Sequence, residues 1–144
     1  MAVSCAIFSC IKCDQATFVD GLRDAEDSTM ETLQESFDIN VLGVHRVTRA
    51  FLPLLQQGKL KKVANISTTF GSLTMIPYLP FSPCPAYKIS KAAMNALTVQ
   101  YALDHGKEGF SFMALCPDWM KTELGGGDMA ALTPEQGAKR KSSR

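Results

Sequence analysis

The chain has 144 residues, a length that suits one domain with a sizeable core. Hydrophobic residues make up 46% and charged residues 20%, which excludes a low-complexity disordered chain and fits a globular one. A formal net charge of +1 gives no electrostatic case for nucleic-acid or acidic-membrane binding, and no apolar run is long enough to span a bilayer.

In chain order, Val3 to Ile11 read as a buried strand: short, apolar and without helical caps. No basic region precedes it, so it does not read as a signal peptide. Cys5-x4-Cys10-x2-Cys13 has the spacing that opens a plant-type iron–sulfur pattern. Two of those cysteines lie in the apolar run and the next, Cys84, is far downstream, so no metal site is expected. The 5 cysteines are an odd number without a compact framework, which points to reduced thiols and a cytoplasmic setting. Residues 12–27 are polar and read as a loop. Residues 1–27 therefore form an N-terminal strand and loop.

Ser28-Thr29-Met30-Glu31 is a capping-box pattern, with Ser28 as N-cap. Leu33, Phe37, Val41, Val44, Val47, Phe51 and Leu55 recur at helical spacing, so helix is expected to about Leu55. Gly43 weakens its middle, Pro53 limits its last turn and Gly58 ends it. Lys62 to Ser67 read as a short strand. Residues 68–85 contain Gly71, Pro77, Pro80, Pro83 and Pro85 and are expected to be a long irregular loop, a kind that commonly carries function. Pro85 suits a first helical position. The helix it opens runs to His105-Gly106, with an apolar stripe of Ile89, Ala92, Ala93, Ala96, Leu97 and Leu103. Phe110 to Leu115 read as a third buried strand, stopped by Pro117. Thr133-Pro134-Glu135 is a helix start with Thr133 as N-cap. That helix is expected to give way almost at once to a solvated basic tail over residues 138–144.

Strands alternating with helices argue for an α/β protein, with about three parallel strands and flanking helices in a single domain over residues 1–144. Ligands in such sheets sit outside the carboxyl ends of the strands. Ser67 and Thr68, the 68–85 loop and Pro117 to Thr122 fall there. Tyr87 and Lys91 are spaced to share one helix face. A cation beside a phenol favours the phenolate, which equips the tyrosine to give or take a proton near neutral pH. The plainer alternative is chance spacing on a helix, and the neighbouring motifs decide between the two.

Asn40-Val41-Leu42-Gly43, Val63 to Thr68 followed by Gly71, Tyr87-Lys88-Ile89-Ser90-Lys91, and Pro117 to Thr122 occur in that order. Together they make the stretch from Phe37 to about Gly137 resemble the short-chain dehydrogenase/reductases, most of all the fungal carbonyl-reducing branch. The resemblance implies a partial Rossmann (doubly wound) fold, the middle-to-late part of that family's domain, truncated at both ends. It implies hydride transfer between NADP or NAD, with NADP ahead, and a carbonyl or alcohol. Tyr87 would be the general acid/base. Lys91 would lower its pKa and bond the nicotinamide ribose. Thr68 would polarise the substrate oxygen. Asn40 would hold a water for proton supply, and Met120 and Thr122 would contact the nicotinamide end. Family members commonly pair through the helices bearing Asn40 and Tyr87, so a homo- or hetero-oligomer is expected. A place in fungal secondary metabolism is implied on the same ground. Tyr78, Leu79 and Phe81 in the proline-rich loop add the expectation of a small apolar substrate.

The chain departs from the family pattern in three places. Thr68 stands where a serine is usual, which adds a methyl and stiffens χ1. Asp118 stands where glycine is usual. The Gly-rich strand-to-helix turn that holds a dinucleotide's pyrophosphate does not occur in this sequence. The alternative expectation is therefore a catalytically inactive remnant, or a fragment that binds a partner.

Overall fold

The computed structural model describes residues 5–7, 28–79, 84–122 and 127–142, with the backbone alone at 5–7 and 140–142. The element order is β1 (Cys5–Ile7), α1 (Met30–Phe37), a π-helical turn (Asp38–Gly43), α2 (Val44–Gln56), β2 (Lys62–Ile66), α3 (Pro85–His105), β3 (Ser111–Leu115) and α4 (Pro134–Ser142). Single 3-10 turns at Thr69–Gly71 and Ile76–Tyr78 break up the loop between β2 and α3. The expected loop at 12–27 and the cysteines at 10 and 13 lie outside the described residues.

The three strands are parallel and in the order β1-β2-β3. Ala6 pairs with Ala64, and Ala64 with Met113, so the three meet in register. Val63, Asn65 and Phe112 are buried on the face that the helices cover. Val44 and Leu55 of α2, Met94 of α3, Val63, Phe110 and Phe112 form one core. Truncating a fully buried member such as Leu55 to alanine costs about 2–5 kcal/mol.

Local chemistry accounts for most element ends, with some shifts from expectation. The N-cap of α1 is Thr29 rather than Ser28: its hydroxyl accepts from the Thr32 N–H at 3.2 Å. The hydroxyl that reaches an unpaired N–H of the first turn is the one that caps it. Helix does run on from there to Gln56, but through a widened turn that ends at Gly43. The basic tail is not abandoned by its helix. Thr133 N–H donates to Gln136 Oε1 at 2.8 Å and Gln136 N–H to Thr133 Oγ1 at 3.3 Å, a reciprocal cap that carries α4 to Ser142. Cys84 is disulfide-bonded, which departs from the expectation of reduced thiols.

The largest correction concerns which helix faces are buried. The expected stripe of the first long helix leaves Val47 and Phe51 exposed, whereas Ser36, Asn40, Val44, Thr48 and Leu55 are buried. On α3 the expected stripe leaves Ile89 and Leu103 exposed, and the buried residues are Ala86, Ser90, Lys91, Met94 and Thr98. Both helices turn polar side chains inward: Asn40 meets Ser90 between them, and Lys91 and Thr98 meet β2. No described helix is long and apolar enough to cross a membrane.

Candidate active site

Because β2 and β3 run parallel, with Ile66 opposite Leu115, the segments 67–71 and 116–122 leave the sheet at the same edge. Helix α3 starts at that edge with Pro85 at its first position, and places Tyr87 and Lys91 one turn apart.

Lys91 is the largest fully buried side chain described, with 1% of its surface exposed. A buried ammonium needs partners. Its Nζ donates to the Ile66 carbonyl at 2.8 Å, at the last residue of β2. The same Nζ stands 5.7 Å from the centre of the half-buried Tyr87 ring. The expected tyrosine–lysine pair is thus assembled, with the cation held by backbone beneath the phenol.

Asn40 is wholly buried in the π-helical turn, and its Nδ2 donates to Ser90 Oγ at 2.9 Å. Ser90 Oγ in turn donates to the Tyr87 carbonyl at 2.8 Å. The widened turn brings Asn40 against α3, and such turns are frequent at functional sites.

After β2 the two hydroxyls diverge. Ser67 is buried and donates to Asn95 Oδ1 at 2.6 Å on α3. Thr68 is half-buried and its Oγ1 accepts from the Phe70 N–H at 3.2 Å. A hydroxyl that accepts from backbone still has its own proton to donate. Ser67 thus spends its hydroxyl proton on Asn95, whereas the bond from Phe70 leaves that of Thr68 uncommitted.

After β3, Asp118 adopts a left-handed backbone, φ 68°. That conformation explains a glycine preference at this position, and aspartate is among the side chains that tolerate it. Met120 pairs with Leu132 in a short parallel bridge. Its side chain packs against α4: a Cβ at Gly137 would stand 2.5 Å from Met120 Sδ. Thr122 N–H donates to the Met120 carbonyl at 2.8 Å, and the Thr122 carbonyl accepts from Gly127 N–H at 2.9 Å. Of the substrate-wall residues, Tyr78 is exposed, Leu79 is half-buried and Phe81 lies outside the described residues.

Sequence reasoning passed over Ser90 and Asn95. The signal for Asn95 was present: Lys91, Asn95 and Thr98 recur at helical spacing, a polar track on a helix otherwise rich in alanine and leucine. Among the described residues no cluster of His, Cys, Asp or Glu could hold a metal.

The chain is similar to known proteins over most of its length. A family model described as enoyl-(acyl carrier protein) reductase matches residues 13–141. The chain belongs to the short-chain dehydrogenase/reductase family, and its parallel sheet with flanking helices is part of a Rossmann fold. It is 38% identical over 103 residues to the C-signal of Myxococcus xanthus, covering 72% of this chain and 60% of that one. It is 34% identical over 110 residues to a short-chain dehydrogenase/reductase of an Arthrinium species, covering 76% of this chain and 41% of that one. Among solved structures, the carbonyl reductase Sniffer of D. melanogaster superposes with a TM-score of 0.72 at 22% identity, over 84% of this chain and 52% of that one. An NADPH-bound carbonyl reductase from chicken fatty liver gives a TM-score of 0.66 at 28% identity, over 79% of this chain and 46% of that one. The chain thus spans about half the length of the relatives it matches.

Proposed function

We propose that this chain carries the catalytic face of an NAD(P)-dependent carbonyl reductase or alcohol dehydrogenase, acting on a small apolar carbonyl or alcohol. The observation that carries the proposal is the Lys91 ammonium, buried and tethered to the Ile66 carbonyl, 5.7 Å from the Tyr87 ring centre. Similarity to an NADPH-bound carbonyl reductase supports the same class of cofactor and substrate.

The residues present fit the nicotinamide end of the cofactor. Lys91 is a buried ammonium at the carboxyl end of β2, a donor of the kind a ribose diol requires. Tyr87, Met120 and Thr122 would hold the same end, and Asp118 would add a negative charge beside it. A bound nicotinamide supplies the hydride. In reduction, the Tyr87 hydroxyl gives its proton to the substrate oxygen, which becomes the alcohol. The Lys91 ammonium stabilises the phenolate left behind. Thr68 Oγ–H donates to the same substrate oxygen and so stabilises the charge that develops on it. Proton supply from solvent to Lys91 is assigned to a water held at Asn40.

The test is NADPH oxidation with a hydrophobic ketone, in the wild type and in Tyr87→Phe. A proton-transfer group contributes about a hundredfold or more to turnover. Loss on that scale in a folded Tyr87→Phe protein is the expected result. Equal rates in the two proteins would end the proposal.

Assembly through α2 and α3 belongs to the same proposal. Val47, Phe51 and Leu54 lie exposed on α2, and Ile89, Val99 and Leu103 on α3, with Leu103 71% exposed. Apolar faces of this kind mark interaction surfaces. Light scattering should report an oligomer for the wild type and a smaller species for Leu103→Glu; a monomeric wild type would exclude it.

A further inference from the structure

One side chain of α3 holds the loop that carries Thr68 from both ends. Asn95 Oδ1 accepts from Ser67 Oγ at 2.6 Å, and Asn95 Nδ2 donates to the Gly71 carbonyl at 3.1 Å. The two bonds bracket Thr68. An amide is the side chain that this arrangement needs, an acceptor toward a hydroxyl and a donor toward a carbonyl. Gly71 completes the fit. A Cβ there would stand 3.0 Å from the Lys91 backbone carbon and 3.1 Å from Asn95 Nδ2, so a side chain would lift the loop off the helix.

Inside the bracket, Thr68 is itself oriented. Its φ and ψ are extended, and its Oγ1 accepts from Phe70 N–H, the first donor of the turn that Gly71 closes. Asn95 lies one helical turn beyond Lys91. The helix that positions the tyrosine and lysine therefore also positions the hydroxyl donor opposite them.

We propose that Asn95 is a positioning residue: it fixes the Thr68 hydroxyl in register with the Tyr87–Lys91 pair. The inference rests on the roles proposed above for those residues, and Asn95 acts through Thr68 rather than on substrate. Asn95→Asp is the discriminating variant. It keeps an oxygen for Ser67 but turns a second oxygen toward the Gly71 carbonyl. Asn95→Ala removes both bonds.

The experiment has two arms. The first is residue-resolved amide hydrogen exchange on wild type, Asn95→Asp and Asn95→Ala. Protection at Phe70, Gly71 and Ser72 should fall by about tenfold or more relative to the amides of β3. An unchanged turn, or an equal loss in β3, overturns the proposal. The second arm is NADPH-dependent ketone reduction. In Asn95→Asp, kcat should fall by about tenfold, with a smaller change in KM for cofactor, and the double variant with Thr68→Ala should be no slower than Thr68→Ala alone. Additive losses overturn the proposal. A wild type that reduces no ketone removes the reductase proposal itself, and the exchange arm then decides whether Asn95 clamps the loop.

Discussion

Asn40 and Ser90 meet in a fully buried hydrogen bond, Nδ2 to Oγ at 2.9 Å, that joins the π-helical turn to the first turns of α3. Ser90 passes the constraint to the Tyr87 carbonyl. The tyrosine is thus located by a residue 50 positions away in sequence, counted to Ser90, as well as by its own helix. Removing the amide in Asn40→Ala should destabilise the fold by about 1–3 kcal/mol, since the buried Ser90 hydroxyl loses its donor. Urea unfolding measures this, and an unchanged midpoint would show that the bond is not formed.

Thr48 offers the opposite case. Its Oγ1 is buried without a hydrogen-bond partner. Thr48→Val keeps the shape and removes the unsatisfied hydroxyl, so stability should rise by about 1 kcal/mol. A thermal melt that fell on this substitution would mean that the hydroxyl is satisfied in solution.

Asp118 holds a left-handed backbone, φ 68°, on the loop after β3. A β-branched residue is poorly tolerated there. Asp118→Val should cost about 1–2 kcal/mol, whereas Asp118→Gly should be tolerated. Denaturation of the pair checks the order, and a valine variant as stable as the glycine one would contradict it.

Glu108 links three segments. Its carboxylate accepts from Gln56 Nε2 at 3.0 Å and pairs with His105 Nδ1 at 2.9 Å, while its backbone carbonyl accepts from Lys61 Nζ at 2.9 Å. The His105 hydrogen bond, then that from Gln56, holds its carboxyl below the usual carboxylate range. A depressed folded pKa stabilises the fold above the unfolded value of about 4.3, and that contribution is lost as pH falls through the folded pKa. A carbon-13 NMR titration should place the Glu108 midpoint low in the wild type and higher in His105→Gln. No difference between the two would remove the His105 bond as the cause.

Much of the scaffold was legible in the sequence because its signals are local. Pro85 and His105 bound α3 as expected, and the parallel α/β order follows from the alternation of apolar runs with helical ones. The juxtaposition of Tyr87 and Lys91 was legible because their spacing is a helical turn. The buried faces were not. Periodicity finds an apolar stripe and assigns it to the core, but here the inward faces carry Ser90, Lys91, Thr98 and Asn40, satisfied by partners far away in sequence. Asn65 Nδ2, for example, donates to Thr98 Oγ1 at 2.8 Å between β2 and α3. Such pairings exist only in the folded chain. They leave leucine, valine and isoleucine on the outer faces, where periodicity misassigns them.

The most direct test of the catalytic assignment is titration of soluble protein with NADPH and NADH, following cofactor fluorescence, in the wild type and in Lys91→Ala. The account predicts saturable binding by the wild type and weakened binding by the variant, because it assigns the ribose to Lys91. No saturation up to millimolar cofactor, or equal binding by both proteins, would contradict it.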